Sequence, residues 1–336
     1  MAVSSAHVAS SVAGDRTGEP LRSEFRRFDL GDVAYLLYLV LPHRALMEVG
    51  RLRGWLDYLL RARARRAVRA NLRDLLPEAS AWHIETLTRR FFEYHQMRSL
   101  LLLLGPLMAA RGDLERILPV DGLEHLERAR ADGHGTMLLG AHINSVGGLL
   151  AIMVLRRRGI DVRSAFPDPD DAWTRTYLRA FIDRRFGAQS MGEAVSGFYA
   201  QFNIRPIIKT IKDGATLLLM GDGWHTASFT EVRFLSRTVP FTTGPLGVAR
   251  LTGATVLPCF IAGTPTSLRV SIQPGFRIAP ARADAADLER QTAEFASRVE
   301  EHLLAHVSCW QHLTVPNVFE TMRSMLDKTI AERYAI

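Results

Sequence analysis

From residue 136 onward, short apolar runs alternate with helical stretches, and that alternation predicts an α/β fold with a mostly parallel central sheet flanked by helices. Residues 136–141 (TMLLGA) and 215–220 (ATLLLM) are continuously apolar or small, as strands covered on both faces must be. Further strands are predicted over 161–166, 255–261 and 268–273. Helices are predicted over 145–158, 172–186, 204–212, 244–251 and 284–306, with a helical tail from Pro316. Asp121-Gly122-Leu123 opens a short helix to Ala131, and residues 224–243 read as an irregular loop.

The first third of the chain is helical instead. Residues 30–49 read as an apolar helix pair interrupted by Pro42, and residues 51–76 as one long helix. A third helix over 81–104 is capped by Ser80 and closed by Gly105-Pro106. The apolar run 33–41 is too short to cross a bilayer, which takes about 20 apolar residues in a helix. The long helix carries eight arginines, Arg51, Arg53, Arg61, Arg63, Arg65, Arg66, Arg69 and Arg73. They form either a solvated charged face or a basic amphipathic surface for anionic lipid. The small, polar start shows no signal-peptide pattern. The expected organisation is a disordered tail over 1–27, a helical membrane-associating region over 28–110, and an α/β unit over 111–336 packed with it. The expected location is the cytoplasmic side of the cell membrane, peripheral or monotopic.

Composition narrows the partners. The 336 residues are 47% hydrophobic, enough for a sizeable core, and carry a formal net charge of +7. That charge suits an anionic membrane surface, an acidic carrier protein or nucleic acid. Nucleic acid ranks last, because no exposed aromatics interleave with the basic residues. The 2 cysteines, Cys259 and Cys309, have no metal spacing and demand no disulfide.

The chemistry-bearing feature is a repeated grammar. The strands over 136–141 and 215–220 each follow a Gly turn and each deliver a titratable residue beside Gly: His142 after Gly140-Ala141, and Asp222 between Gly221 and Gly223. Ligands of open parallel sheets bind at the carboxyl ends of strands. If the strands are parallel neighbours, a carboxylate there fixes the imidazole tautomer and stabilises the imidazolium. The plainer reading is a helix-capping Asp222 and a core-edge His142 bonded to backbone. Other signals fail. Ser145 lacks the first Gly of a nucleophile elbow. His302 and His306 form no His-Glu-x-x-His pattern, and Gly221-x-Gly223 no dinucleotide fingerprint. Cys259 reads as a small buried hydrophobe.

Several motifs fall together in order. They are Arg66-Ala67-Val68-Arg69-Ala70-Asn71-Leu72 with Leu76-Pro77-Glu78; Val120-Asp121-Gly122-Leu123-Glu124-His125-Leu126; Gly140-Ala141-His142; Met220-Gly221-Asp222; Val239-Pro240-Phe241 with Gly244; Leu251-Thr252-Gly253-Ala254 with Val256-Leu257-Pro258; and Cys309-Trp310-Gln311-His312. From about residue 30 to 315 the chain resembles the bacterial lipid A biosynthesis (lauroyl/myristoyl) acyltransferase family, within the lysophospholipid acyltransferase superfamily. One position departs. The family places an Asp or Glu after the histidine and four spacers, and here that position is Gly147. Gly223 also stands where the family has Gln after the Asp.

The resemblance implies transfer of a fatty acyl group from acyl-CoA or an acyl-carrier protein to a hydroxyl or amine of a lipid, glycolipid or lipid-like acceptor. It implies His142 as general base, no cofactor and no metal. With Gly147 in the acid's place, three readings stand. Asp222 or Glu231 replaces the acid, His142 works without a partner, or the site is inactive for acyl transfer and the chain is an acyl- or lipid-binding homologue. A thioesterase, with His142 activating water, is a further alternative. Candidate substrate contacts are Asn144 as an oxyanion donor, Ser145 and Gly223 beside the pair, and Arg233 and Arg237 for a phosphate or carrier-protein acid. The N–H groups of Thr242, Thr243 and Gly244 are candidates for a phosphate at a helix start.

Overall fold

The computed structural model describes residues 38–167, 195–199, 204–223, 228–235, 237–278 and 285–334. Nine strands occur among them: β1 (Val120–Asp121), β2 (Thr136–Gly140), β3 (Val162–Pro167), β4 (Val195–Tyr199), β5 (Thr216–Met220), β6 (Phe229–Phe234), β7 (Arg237–Thr242), β8 (Thr255–Ala262) and β9 (Arg269–Ile272). Seven form one sheet in the order β1-β9-β8-β2-β5-β3-β4. β2 lies at its middle, parallel to β8 on one side and to β5 on the other. Among the described residues the β8/β9 pair is the antiparallel one in this sheet. The expected mostly parallel α/β architecture is therefore present.

The helices are α1 (His43–Leu60), α2 (Ala62–Leu75), α3 (Ala81–Arg111), α4 (Leu114–Ile117), α5 (Leu123–Ala131), α6 (Ser145–Arg157), α7 (Arg205–Lys212), α8 (Gly244–Thr252), α9 (Ala285–Ala305) and α10 (Val318–Tyr334). Two short 3₁₀ turns, Val307–Cys309 and Gln311–Thr314, join α9 to α10.

The continuous apolar runs are explained by burial on both faces. Met137, Leu139, Leu217 and Leu219 point into a core shared with Leu72 of α2, Phe91 of α3 and Phe295 of α9. Their alternates Leu138 and Leu218, with Leu257 of β8, point into a second core with Met47 of α1, Leu104 of α3 and Leu150 of α6. Each such side chain contributes about 1.5–3 kcal/mol on burial. That is why β2 and β5 carry no polar residue between their first position and their ends.

Three expectations are corrected. The third helix does not stop at Gly105-Pro106 but runs on to Arg111. Gly105 is a packing position, because a Cβ there would lie 2.6 Å from Leu150 Cδ2 of α6. The real stop is Gly112, left-handed at φ 76, followed by a bond from the Asp113 N–H to Met108 O. The long helix over 51–76 is broken at Arg61 into α1 and α2. The loop over 224–243 contains an antiparallel hairpin, β6 with β7, turning near Leu235 at φ 51. Its inward residues, Val232, Phe234, Val239 and Phe241, join the core. The tail over 1–27 and the helix over 172–186 lie outside the described residues.

α1 packs with its small residues inward. A Cβ on Gly50 would stand 3.0 Å from Met97 Cα, and one on Gly54 would collide with Glu93 Cα and Phe92 O, so the backbones of α1 and α3 touch there. The large residues Leu52, Trp55, Leu56, Leu59 and Leu60 are left exposed. No helix among the described residues is long and apolar enough to cross a membrane.

Candidate active site

Register alone brings the two titratable residues together. β2 and β5 pair Gly140 with Met220, and the Gly221 N–H donates to Gly140 O at 2.8 Å. Two positions beyond the Gly140–Met220 pair, His142 meets Asp222. Its Nδ1 bonds Asp222 Oδ1 at 2.8 Å, and its backbone N–H donates to Asp222 Oδ2 at 2.8 Å. The flanking glycines have steric reasons. A Cβ on Gly140 would lie 3.0 Å from Cys259 O, and one on Gly221 would lie 2.5 Å from Phe295 Cε1.

The electrostatics favour an ionised pair. Burial opposes the imidazolium, but the charge and hydrogen bond of Asp222 outweigh it and raise the His142 pKa. Burial also opposes the Asp222 carboxylate. The charge and bond of His142, the charge of His312 and the backbone N–H hold it below the usual carboxylate range. An ionised Asp222 leaves the proton of a neutral ring on Nδ1, so Nε2 is the basic nitrogen. The His142 side chain is 27% exposed and that of Asp222 6%. The reading of Asp222 as a mere helix cap, with His142 bonded only to backbone, is overturned.

Gly147 lies inside α6, and a Cβ there would collide with Ile261 Cγ2 of β8. The helix sits too close to the sheet for an acid at that position. Glu231, the other candidate replacement, is directed elsewhere: it is exposed on β6 and takes both nitrogens of Arg323 at 3.1 and 3.2 Å.

Several candidate contacts are corrected. Asn144 is fully buried, and its amide donates to Ile261 O at 3.1 Å and to Gly263 O at 3.2 Å, so it has no donor to offer an oxyanion. Arg237 is held by both carboxylate oxygens of Asp74, and its guanidinium lies 4.6 Å from the Phe319 ring centre. At the start of α8 the Thr243 N–H donates to Ser228 O and the Gly244 N–H to Thr242 Oγ1, while Thr242 and Thr243 are buried. These N–H groups serve the loop rather than a phosphate. Ser145 is half-buried and its hydroxyl bonds Gln311 Oε1. Gly223, half-buried beside Asp222, has open space where a Cβ would go. Arg233 is exposed on the outer face of β6.

Two residues at the site were missed by sequence reasoning. His312, buried in the second 3₁₀ turn, places its ring centre 4.9 Å from that of His142. Its Trp310-x-His312 spacing was visible but not tied to the strand ends. Arg98, on α3, is buried behind the turn after His142, and no motif marks it. His142, Asp222 and His312 offer ligand atoms within 4.8 Å of one another, a spacing a divalent ion can use. Both Asp222 oxygens already accept bonds from His142.

A mostly parallel sheet with a half-buried imidazole bonded to a buried carboxylate on its carboxyl edge defines an α/β protein whose site lies at the strand ends. Residues 24–314 match the family described as bacterial lipid A biosynthesis acyltransferase, and the chain belongs to that family. It is an acyltransferase enzyme. No curated protein matches the chain significantly.

Proposed function

We propose that His142 is the general base of an acyl transfer and that Asp222 is the acid that orients it. The observation that carries this reading is the pair of hydrogen bonds that Asp222 accepts from the ring Nδ1 and from the backbone N–H of His142, each at 2.8 Å. A hydroxyl or amine of a lipid or glycolipid acceptor attacks the carbonyl of an acyl thioester, acyl-CoA or acyl-carrier protein. Nε2 takes the acceptor's proton as the new C–O or C–N bond forms. The C–S bond then breaks, and the departing thiolate collects the proton from the imidazolium. Asp222 stabilises that imidazolium and holds the tautomer. The N–H groups of Ser145 and Val146, in the first turn of α6, are the proposed oxyanion donors. The neighbouring N–H groups of Asn144 and Gly147 are engaged by Cys309 O and Asn144 O.

The lipid acceptor is reached at a membrane surface. Leu52, Trp55, Leu56 and Leu59 share one face of α1 at helical spacing and are exposed, as is Leu60 at 79%. Exposed Arg51, Arg53, Arg61 and Arg63 flank them. Apolar residues ringed by arginines suit insertion among anionic headgroups, and the proposed location is the cytoplasmic side of the cell membrane.

The test is His142→Ala with an acyl thioester and lipid acceptor. The reading requires turnover to fall by about 10²–10⁴-fold. Wild-type turnover sinks it, and product that is free fatty acid even with acceptor present makes the enzyme a thioesterase.

A further inference from the structure

The turn that carries His142 is held by two buried polar residues that do not touch Asp222. Arg98 of α3 is 4% exposed. Its Nη1 donates to Cys309 O at 2.8 Å and to Asn144 Oδ1 at 3.3 Å. Asn144 donates from its side chain to Ile261 O and Gly263 O at the end of β8, and from its backbone N–H to Cys309 O at 3.1 Å. Its backbone is left-handed, at φ 53, a conformation asparagine tolerates better than most residues. The residue two positions after His142 is therefore tied at once to α3, to β8 and to the connection that carries His312. That connection returns the grip, since the Gln311 N–H donates to His142 O at 3.0 Å.

A guanidinium is a costly way to fill a buried helix face. Its acceptors here are a peptide carbonyl and an amide oxygen, and burial pulls its pKa down. Among the described residues no ion pair explains its presence, and an apolar side chain would occupy the space with less desolvation. What arginine adds is direction: one nitrogen fixes Asn144 Oδ1 and Cys309 O in a single geometry.

We propose that Arg98 and Asn144 are positioning residues, a clamp that sets the backbone of the 142–144 turn so that both the ring and the N–H of His142 stay on Asp222. The inference rests on the reading of His142 as the base. The clamp acts through that residue and touches no substrate. A displaced turn lengthens one or both bonds to Asp222, which slows proton transfer while leaving donor binding in place.

The test uses the full-length chain with Arg98→Met, Arg98→Lys and Asn144→Gly. Asn144→Gly keeps the left-handed turn available and removes only the side-chain bonds. Each variant is assayed for kcat, donor KM and thermal midpoint, and the His142 ring is titrated by NMR, assigned against His142→Ala. The clamp predicts kcat lowered roughly 10- to 100-fold in Arg98→Met and Asn144→Gly with donor KM little changed. It also predicts a His142 titration moved down toward the ordinary histidine value, and partial recovery in Arg98→Lys. If Arg98→Met fails to fold, Asn144→Gly carries the test. Variants that melt earlier but keep the wild-type kcat and His142 titration overturn the clamp and leave a structural role only. Wild-type turnover in His142→Ala would defeat the base reading instead, and the NMR titration would still report on the clamp.

Discussion

Asp222 grips His142 at two points, ring and backbone, from the end of the neighbouring strand β5 rather than from the helix that follows the histidine. A carboxylate bound only to the ring leaves the backbone free to drift. One bound to both fixes the Cα position and the ring orientation together. The place of Asp222 beside His142 thus follows from the parallel register of β2 and β5.

The first prediction concerns pH. With His142 as the proposed base, the neutral ring is the active form, and Asp222 raises the His142 pKa above its ordinary 6.5. Activity should therefore fall as pH is lowered through a midpoint above 6.5, the imidazolium being the inactive species. In Asp222→Asn the raising charge is gone, and the limb should move to lower pH. A kcat/KM profile whose acid limb lies below 6.5 in the wild type contradicts this.

Restoring an acid on α6 should harm the enzyme. Gly147→Asp drives a side chain into Ile261. The expected cost is about 1–3 kcal/mol in unfolding free energy, with no gain in turnover. Chemical denaturation and a rate assay read both quantities, and a faster, equally stable variant would show that the helix has room after all.

The outer face of α1 gives a third prediction. Leu52→Glu with Leu56→Glu should abolish co-sedimentation with vesicles containing anionic lipid while leaving the thermal midpoint close to wild type, because both side chains are exposed. Raising salt should weaken binding of the wild-type chain. Unchanged vesicle binding by the double variant would place the contact elsewhere.

The inner face of the same helix behaves oppositely. Gly54→Leu forces α1 away from Glu93 and Phe92 of α3 and should destabilise the fold, by about 1–3 kcal/mol. A wild-type denaturation midpoint would mean that the two helices do not pack backbone to backbone.

What was legible beforehand follows from what each interaction depends on. β2 and β5 were legible because burial on both faces leaves an unbroken apolar run. The meeting of His142 and Asp222 was legible as a conditional, since parallel pairing of two strands with the same ending puts the endings together. The hairpin of β6 and β7 was not, because Pro240 and the charges of Glu231, Arg233 and Arg237 mask an alternation visible in Val232, Phe234, Val239 and Phe241. Gly105-Pro106 looked like a stop because local rules do not report that Leu150 needs the space. Asn144 looked like an available donor, and only tertiary structure shows its amide bonded to the end of β8. Arg98 left no trace in the sequence, as a lone arginine on an amphipathic helix is ordinarily solvated.

The central claim is that Asp222 replaces the acid lost at Gly147. Its most direct test is the acyl-transfer rate of Asp222→Asn, alone and combined with His142→Ala, on the same acyl thioester and lipid acceptor. The account predicts a fall of about 10²–10⁴-fold for the single variant, and a double variant no slower than His142→Ala alone, because both residues serve one proton transfer. An Asp222→Asn enzyme working at the wild-type rate, or losses that multiply in the double variant, would contradict it.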